Sequence, residues 1–313
     1  MRRIFQHKCS KPYFTKVLFR HVFFVLFVLV ASGCASKSRT SDPLMNGLLL
    51  SEPEMVSTKA QISVAHYTDS LYRVKFTEKE RAEVLFQRGI AYDAMGLISL
   101  ARMDYSEALK LNPALADAHN SIGVLYIQAG MYMLAYESFD STLEINEDYD
   151  FALLNRAIAL YYGGRTQLAL SDTLEYLQKD SSDPFRLLWH FIVYSQNSDK
   201  EDALKMLAQA RMSLPEDNWA TTLVDFYLGN VPENAVIARL LSDVNSQTEL
   251  NYRLCEAYFY LGKHSAFMGN KTKAENYFKL SLGTNVYEYI EHKYSRIELA
   301  NVRRTRREEM QAN

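Results

Sequence analysis

The sequence predicts an all-α solenoid of stacked helix pairs hung from a short N-terminal tether. Three observations carry this expectation. The middle of the chain repeats itself every 34 residues. Glycine and proline are scarce, 12 and 7 in 313 residues against 21 Tyr, which disfavours turn-dense β architecture and long flexible tracts. Beyond the N-terminal segment no run of 18 apolar residues occurs, so the repeated region is a body folded in water.

The chain opens with Arg2, Arg3, Lys8, Lys11, Lys16 and Arg20 and no acid. The apolar stretch Val22 to Val30 and then Ala31-Ser32-Gly33-Cys34 follow. That stretch is too short to cross a bilayer as a helix but suits the core of a secretory signal. A Cys directly after small residues resembles a bacterial lipobox, with Ala31 where the pattern usually has Leu. The resemblance implies a signal peptide over 1–33, with Cys34 as the acylated mature N-terminus carrying palmitate. Ala35 in place of Asp implies sorting to the outer membrane, with the body facing the periplasm. Loss of residues 1–33 removes six of the 35 basic residues and none of the 37 acidic ones, leaving a net charge of −8. So acidic a body is unsuited to nucleic acid, whose phosphates require a basic footprint. Cys9 leaves with the signal, so Cys255 has no partner for an intrachain disulfide and reads as a packed core residue.

Residues 34–54, with Pro43 and Pro53 among polar side chains, read as a tether. Over 55–77, Ala60, Val64, Tyr67, Leu71 and Val74 form one apolar stripe of an amphipathic helical arm. The stripe has two readings. It caps the first repeat of its own chain, or it packs on another copy and makes a dimer.

Four windows of 34 residues, starting at Ala82, Ala116, Asp150 and Pro184, fill 82–217. The first places Leu85, Gly89, Tyr92, Ala101, Tyr105, Ala108 and Pro113 at positions 4, 8, 11, 20, 24, 27 and 32, and departs only at position 7, Arg88. The second keeps Ile122, Gly123, Tyr126, Ala135 and Phe139; the third decays after Ala169; the fourth has Phe191 at position 8. This pattern resembles the tetratricopeptide repeat, giving the fold class an all-α tetratricopeptide-repeat (helix-turn-helix) solenoid with a lipidated N-terminal tether. Small residues at 8 and 20 let two helices approach, and aromatics fill the space they leave. Residues 218–254 form a divergent helical unit, and 255–288 return to the pattern with Tyr258, Leu261, Gly262, Ala274 and Phe278. Residues 289–313 read as a closing helix and a basic tail with Arg303, Arg304, Arg306 and Arg307, either solvated or in contact with acidic envelope polymers or lipid. Thr77-x-x-Glu80 reads as a capping box and Asp183-Pro184 as a helix start. Gly96, Gly130, Gly163-Gly164 and Gly269 mark the ends of first helices.

No catalytic or metal motif stands out. His residues at i,i+4, a G-x-S-x-G elbow and a C-x-x-C pair are all missing from the mature sequence. Gly269-Asn270-Lys271-Thr272 ends like a phosphate-binding loop but lacks its first Gly and a preceding strand, and reads as an interhelical turn. His119 sits at a core position. The expectation is a protein that is not an enzyme and needs no cofactor.

In this repeat the first helix of each pair lines the inner face through positions 2, 5, 9, 12 and 13. The resemblance therefore points to Glu83, Phe86, Ile90, Asp93 and Ala94, then Asp117, Asn120, Val124, Ile127 and Gln128, then Phe151, Leu154, Ile158, Tyr161 and Tyr162. Mixed apolar, amide and acidic groups along a groove suit an extended peptide or a partner's helix. Tyr161 and Tyr162 are candidate anchors.

Three segments narrow the resemblance: Asn155-Arg156-Ala157-Ile158-Ala159-Leu160-Tyr161-Tyr162-Gly163-Gly164-Arg165, Asp183-Pro184-Phe185-Arg186-Leu187-Leu188-Trp189 and Asp225-Phe226-Tyr227-Leu228-Gly229-Asn230. From about 55 to about 300 the chain resembles the NlpI-type outer-membrane lipoproteins of gammaproteobacteria. That resemblance implies a lipid-anchored homodimeric adaptor. Such an adaptor brings a periplasmic processing protease of the Prc type to cell-wall endopeptidases and scaffolds peptidoglycan hydrolases, affecting cell division and envelope integrity. A second reading is a repeat lipoprotein that assembles an outer-membrane secretin or pilus channel.

Overall fold

A computed structural model describes residues 49–312. Cys34, the signal segment and the tether as far as residue 48 lie outside them. The described residues form fourteen α-helices and no strand, and no helix among them is long and apolar enough to cross a membrane.

Helix α1 (Thr58–Arg73) begins at Ser57, whose hydroxyl accepts from the Ala60 N–H. Three closely packed pairs follow: α2 (Glu78–Ala94) with α3 (Ile98–Leu111), α4 (Ala116–Gln128) with α5 (Tyr132–Ile145), and α6 (Asp150–Tyr162) with α7 (Thr166–Lys179). The Thr77–Glu80 capping box opens α2: the Glu80 N–H donates to Thr77 Oγ1 at 3.3 Å and the Thr77 N–H to Glu80 Oε2 at 2.9 Å. In the first, second and last pairs the hairpin is tight because position 8 is glycine; the third has the next smallest side chain, Ala157, there. A methyl group on Gly123 would lie 2.6 Å from the Phe139 ring, and Gly89 against Tyr105 and Gly262 against Phe278 repeat the arrangement. The turn after α4 needs φ +74° at Gly130, the left-handed region that costs other L-residues energy. Apolar burial runs continuously from pair to pair: Leu85, Phe86 and Tyr105 of the first pair share a core with Ile122 and Leu125 of the second. Each fully buried side chain of this size contributes about 1.5–3 kcal/mol.

The fourth pair, α8 (Pro184–Tyr194) with α9 (Lys200–Arg211), packs less closely. Asp183 caps α8 and Pro184 takes its first turn. Phe191 is the reason for the splay. The ring at the small-residue position turns instead to Tyr227 and Phe267, with centroids 5.5 and 5.4 Å away and both edge-on. Two short helices, α10 (Thr221–Tyr227) and α11 (Glu233–Leu241), make the divergent unit. Its expected end at 254 is corrected: α12 (Gln247–Phe267) starts well before Cys255 and runs unbroken through it. Helix α13 (Lys271–Gly283) completes the last pair, and α14 (Ile290–Ala312) closes the chain.

Two more expectations are revised. The arginine-rich end is helical, the last turns of α14, and stays largely exposed, while Arg303 and Arg306 both reach Glu275 of α13, at 3.1 and 2.9 Å. The stretch 49–54 is not free tether. Asn251, fully buried in α12, donates to Glu52 O at 2.9 Å and Glu54 Oε1 at 3.0 Å, and the Glu54 N–H donates to Thr284 O at 2.8 Å. Tyr258 also donates to Leu49 O. This strap leaves the last pair and leads into α1, which lies on the first, so the two ends of the solenoid are tied together.

Candidate functional site

The inner face is built by the first helices α2, α4, α6 and α8, and α14 runs along it. Lys293 of α14 meets Asp93 of α2 at 2.6 Å. Glu298 accepts from Tyr162 of α6 at 2.8 Å and from Lys263 of α12 at 2.6 Å. Tyr294 packs on Tyr162 and on Trp189 of α8. The chain thus fills much of its own groove. What stays open is a cavity of about 610 Å³ between the first four pairs and the stretch where α12 meets the start of α14. That is an ordinary size for a binding pocket.

Its walls are aromatic and acidic. Phe151, Tyr176, Phe185, Trp189, Tyr260 and Tyr289 contribute rings, and Asp183, Glu256, Glu288 and Glu291 contribute carboxyls. Phe151 stands 61% exposed, the most open of the large apolar side chains on this wall. Burial and the neighbouring Glu291 and Asp183 push the Glu256 carboxyl well above the carboxylate range. Burial likewise raises Glu291 to about 7, although Tyr260 donates to its Oε1 at 3.2 Å. Among the described residues no three His, Cys, Asp or Glu side chains converge to hold a metal ion.

The residues expected in the groove divide. Asn120 and Val124 line the cavity, and Asn120 Oδ1 accepts from Asn155 at 2.9 Å. Asp93 lines it too, through its pair with Lys293. Asp117 sits exposed at the rim, accepting from Tyr149 at 2.8 Å. Gln128 faces a separate pocket beside Tyr287 and Arg296, so it and Asn120 do not probe one site. Glu83 is exposed and bonded to Gln87 of its own helix.

Phe86 lines no groove; it is 5% exposed, packed on Tyr105 in a core that Leu71 of α1 helps to cover. Ile127 and Ile158 are wholly buried for the same reason, turned into the stack. Tyr161 and Tyr162 do face inward, but not towards a free partner. The Tyr161 hydroxyl accepts from Lys263 at 2.8 Å and Tyr162 donates to Glu298, so both anchor the chain's own α12 and α14.

Of the arm residues, Ala60 and Tyr67 border a hollow with Gln87 and Ala91 of α2, and Leu71 packs into the first pair's core. Val64 is half-buried, and Val74, just past the helix, is exposed. His119 Nε2 donates to Pro113 O, 2.9 Å away. Cys255 is buried beside Ser281, its thiol pushed up to about 12 by burial.

The sequence reading did not single out Glu256, Glu291 or Trp189. The inner-face positions were read only in the first three windows: Glu256 takes position 2 of the window that starts at Cys255 and was legible there, Trp189 takes position 6 of the fourth window, which is not an inner-face position, and Glu291 lies in α14 beyond the repeats. A second feature is periodic and was legible: Leu100, Leu134 and Leu168 occupy one repeat position, 34 residues apart, and are 40, 45 and 58% exposed. They stand on the second helices, away from the groove.

No family model matches the chain. Among solved structures it is similar to YrrB, a TPR protein with an unusual peptide-binding site, at 16% identity over 70% of this chain and 92% of that one, TM-score 0.43. A tetratricopeptide repeat protein from Parabacteroides merdae ATCC 43184 matches at 21% identity over 78% of each chain, TM-score 0.44. MamA from Desulfovibrio magneticus RS-1 matches at 16% identity over 51% of this chain and 97% of that one, TM-score 0.41. The repeat assignment itself stands on this chain's own helix pairs and their spacing.

Proposed function

We propose that this chain is a lipid-anchored adaptor of the bacterial envelope. Acylated at Cys34 and held at the outer membrane, it docks a processing protease of the Prc type and the peptidoglycan endopeptidases it acts on, as a homodimer. The observation that carries the docking role is the open cavity of about 610 Å³ on the inner face of a helix-pair solenoid, walled by side chains from several repeats. A surface of this kind recognises an extended segment of another protein. The mechanism is one of effective concentration: partners held on one tethered body meet more often than in free solution. The lipobox-like Ala31-Ser32-Gly33-Cys34 and the three resembling segments support the compartment and the partners.

Two experiments test this. Labelling of cells with radioactive palmitate should mark the chain, and Cys34→Ser should abolish the mark. Capture from envelope extracts on the immobilised chain, with masses identified, should yield the protease and cell-wall hydrolases. Ring-forming channel subunits in their place would favour the secretin reading, and an empty capture would remove the adaptor. Sedimentation equilibrium reads the dimer directly.

A further inference from the structure

The cavity wall carries more carboxyl groups than basic ones. Glu256 has two acids, Glu291 and Asp183, acting against its charge and one base, Arg253, acting for it. The Arg253 guanidinium is committed elsewhere: it donates to Leu240 O at 3.0 Å, Ser242 O at 2.7 Å and Glu249 at 2.6 Å. Lys293, the base on the cavity wall, is held by Asp93. Glu291 is 7% exposed and accepts from Tyr260. One buried and one half-buried carboxyl group without a cation are costly in a closed core, and cost less in a site that a cation enters. A second observation is independent of the acids. The Trp189 side chain, 1% exposed on the same wall, has an indole N–H with no acceptor in the protein. Buried indole N–H groups ordinarily find a partner.

We infer that the cavity receives an arginine side chain of a peptide segment from a partner protein. The guanidinium lies between Glu256 and Glu291 against the aromatic wall, and a backbone carbonyl of the segment accepts from Trp189. Aromatic faces and paired carboxylates together favour guanidinium, which stacks and donates in a plane, over a compact ammonium. The volume leaves room for the flanking backbone as well as the side chain. This assignment rests on the docking role proposed above and names the chemistry of what docks.

The test is calorimetric titration of the full chain in detergent with two acetylated, amidated tetrapeptides, Ala-Arg-Phe-Ala and the same peptide with uncharged citrulline for arginine. The arginine peptide should bind at least about tenfold tighter. Glu256→Gln with Glu291→Gln should reduce that preference to within about twofold. Circular dichroism and the unfolding midpoint confirm the fold of this variant, and Glu256→Gln alone serves if the pair does not fold. Equal affinities in the unaltered chain, no binding of either peptide, or a preference that survives the double substitution would each overturn the inference. The two readings fail separately. An empty envelope capture with intact arginine preference removes the adaptor and keeps the pocket; full capture without peptide discrimination does the reverse.

Discussion

Lys293 and Asp93 stand 200 residues apart in sequence and 2.6 Å apart in space, joining the closing helix α14 to the first repeat. Both side chains are largely buried, at 8 and 16% exposure. Their pairing makes the solenoid a closed body in which first and last elements depend on one another. Asp93→Ala should cost about 3–5 kcal/mol, because it strands a buried ammonium. Asp93→Leu combined with Lys293→Met should recover much of that loss. Urea midpoints of Asp93→Leu, Lys293→Met and the pair measure the coupling, and additive single effects would show that the contact is not formed.

Glycines at the repeat's eighth position act by sterics and those in the turns by backbone conformation, so their variants should separate. Gly123→Ala drives a methyl group into the buried Phe139 ring and should destabilise by about 1–3 kcal/mol. Phe139→Leu on that background should restore part of it. Gly130→Ala meets no neighbouring atom, yet φ +74° should cost about 1–2 kcal/mol. No second-site truncation should rescue it. Thermal or urea unfolding of the four proteins decides between the two mechanisms.

Stability should fall in mild acid. Burial holds His190 and His292 neutral, drawing them down to about 4. The unfolded chain then binds more protons than the fold between about pH 6.5 and 4, and stability is lost as pH falls through that window. Glu291, raised to about 7, works in the opposite sense. The fold holds its proton more tightly, so stability is lost as pH rises from about 4.5 to 7. Glu256→Gln with Glu291→Gln should therefore be more stable than the parent at pH 7.5 by about 1–3 kcal/mol, and should lose stability more steeply below pH 6.5. Urea midpoints from pH 5 to 8 read both slopes; parallel curves would refute the assignment.

The strap at residues 49–54 depends on one amide. Asn251→Ala removes the donor to Glu52 and Glu54 and the acceptor for Ser51. The expected cost is about 1–3 kcal/mol. Limited proteolysis should then cut the segment before α1 faster while leaving the repeats intact. An unchanged cutting rate would mean that the backbone bond from Glu54 to Thr284 and the bond from Tyr258 to Leu49 O hold the strap without it.

Much of this fold is local and so is written in the sequence. Thr77 and Glu80 cap within one turn, Pro184 follows its capping Asp183, and the Gly–aromatic pairs recur because each hairpin solves the same packing problem in 34 residues. Even the misfit at Arg88 had a readable cause. It forms a two-pronged pair with Asp104, at 2.7 Å to each oxygen, and Arg156 repeats this with Asp172 at the same two repeat positions. The second repeat has Ile122 and Ser138 there instead, an exchange of both partners that a comparison of positions 7 and 23 exposes.

The candidate site was legible only by halves. Asn120, Val124 and Asp93 follow from the repeat's geometry, whereas Phe86 was lost to the covering arm and Tyr161 and Tyr162 to the chain's own C-terminal helices. Repeat arithmetic fixes the spacing of neighbours along the stack, because each helix pair meets only the next. It carries no information on where a closing helix lies across the stack. That position follows from side chains more than a hundred residues apart, such as Tyr162 with Glu298, and from a strap that returns the N-terminal segment to the last pair. The amino-acid order by itself thus determined the helices and their stacking; the tertiary closure alone decided which part of the inner face stays open, because long-range burial and charge pairing select one path for α14.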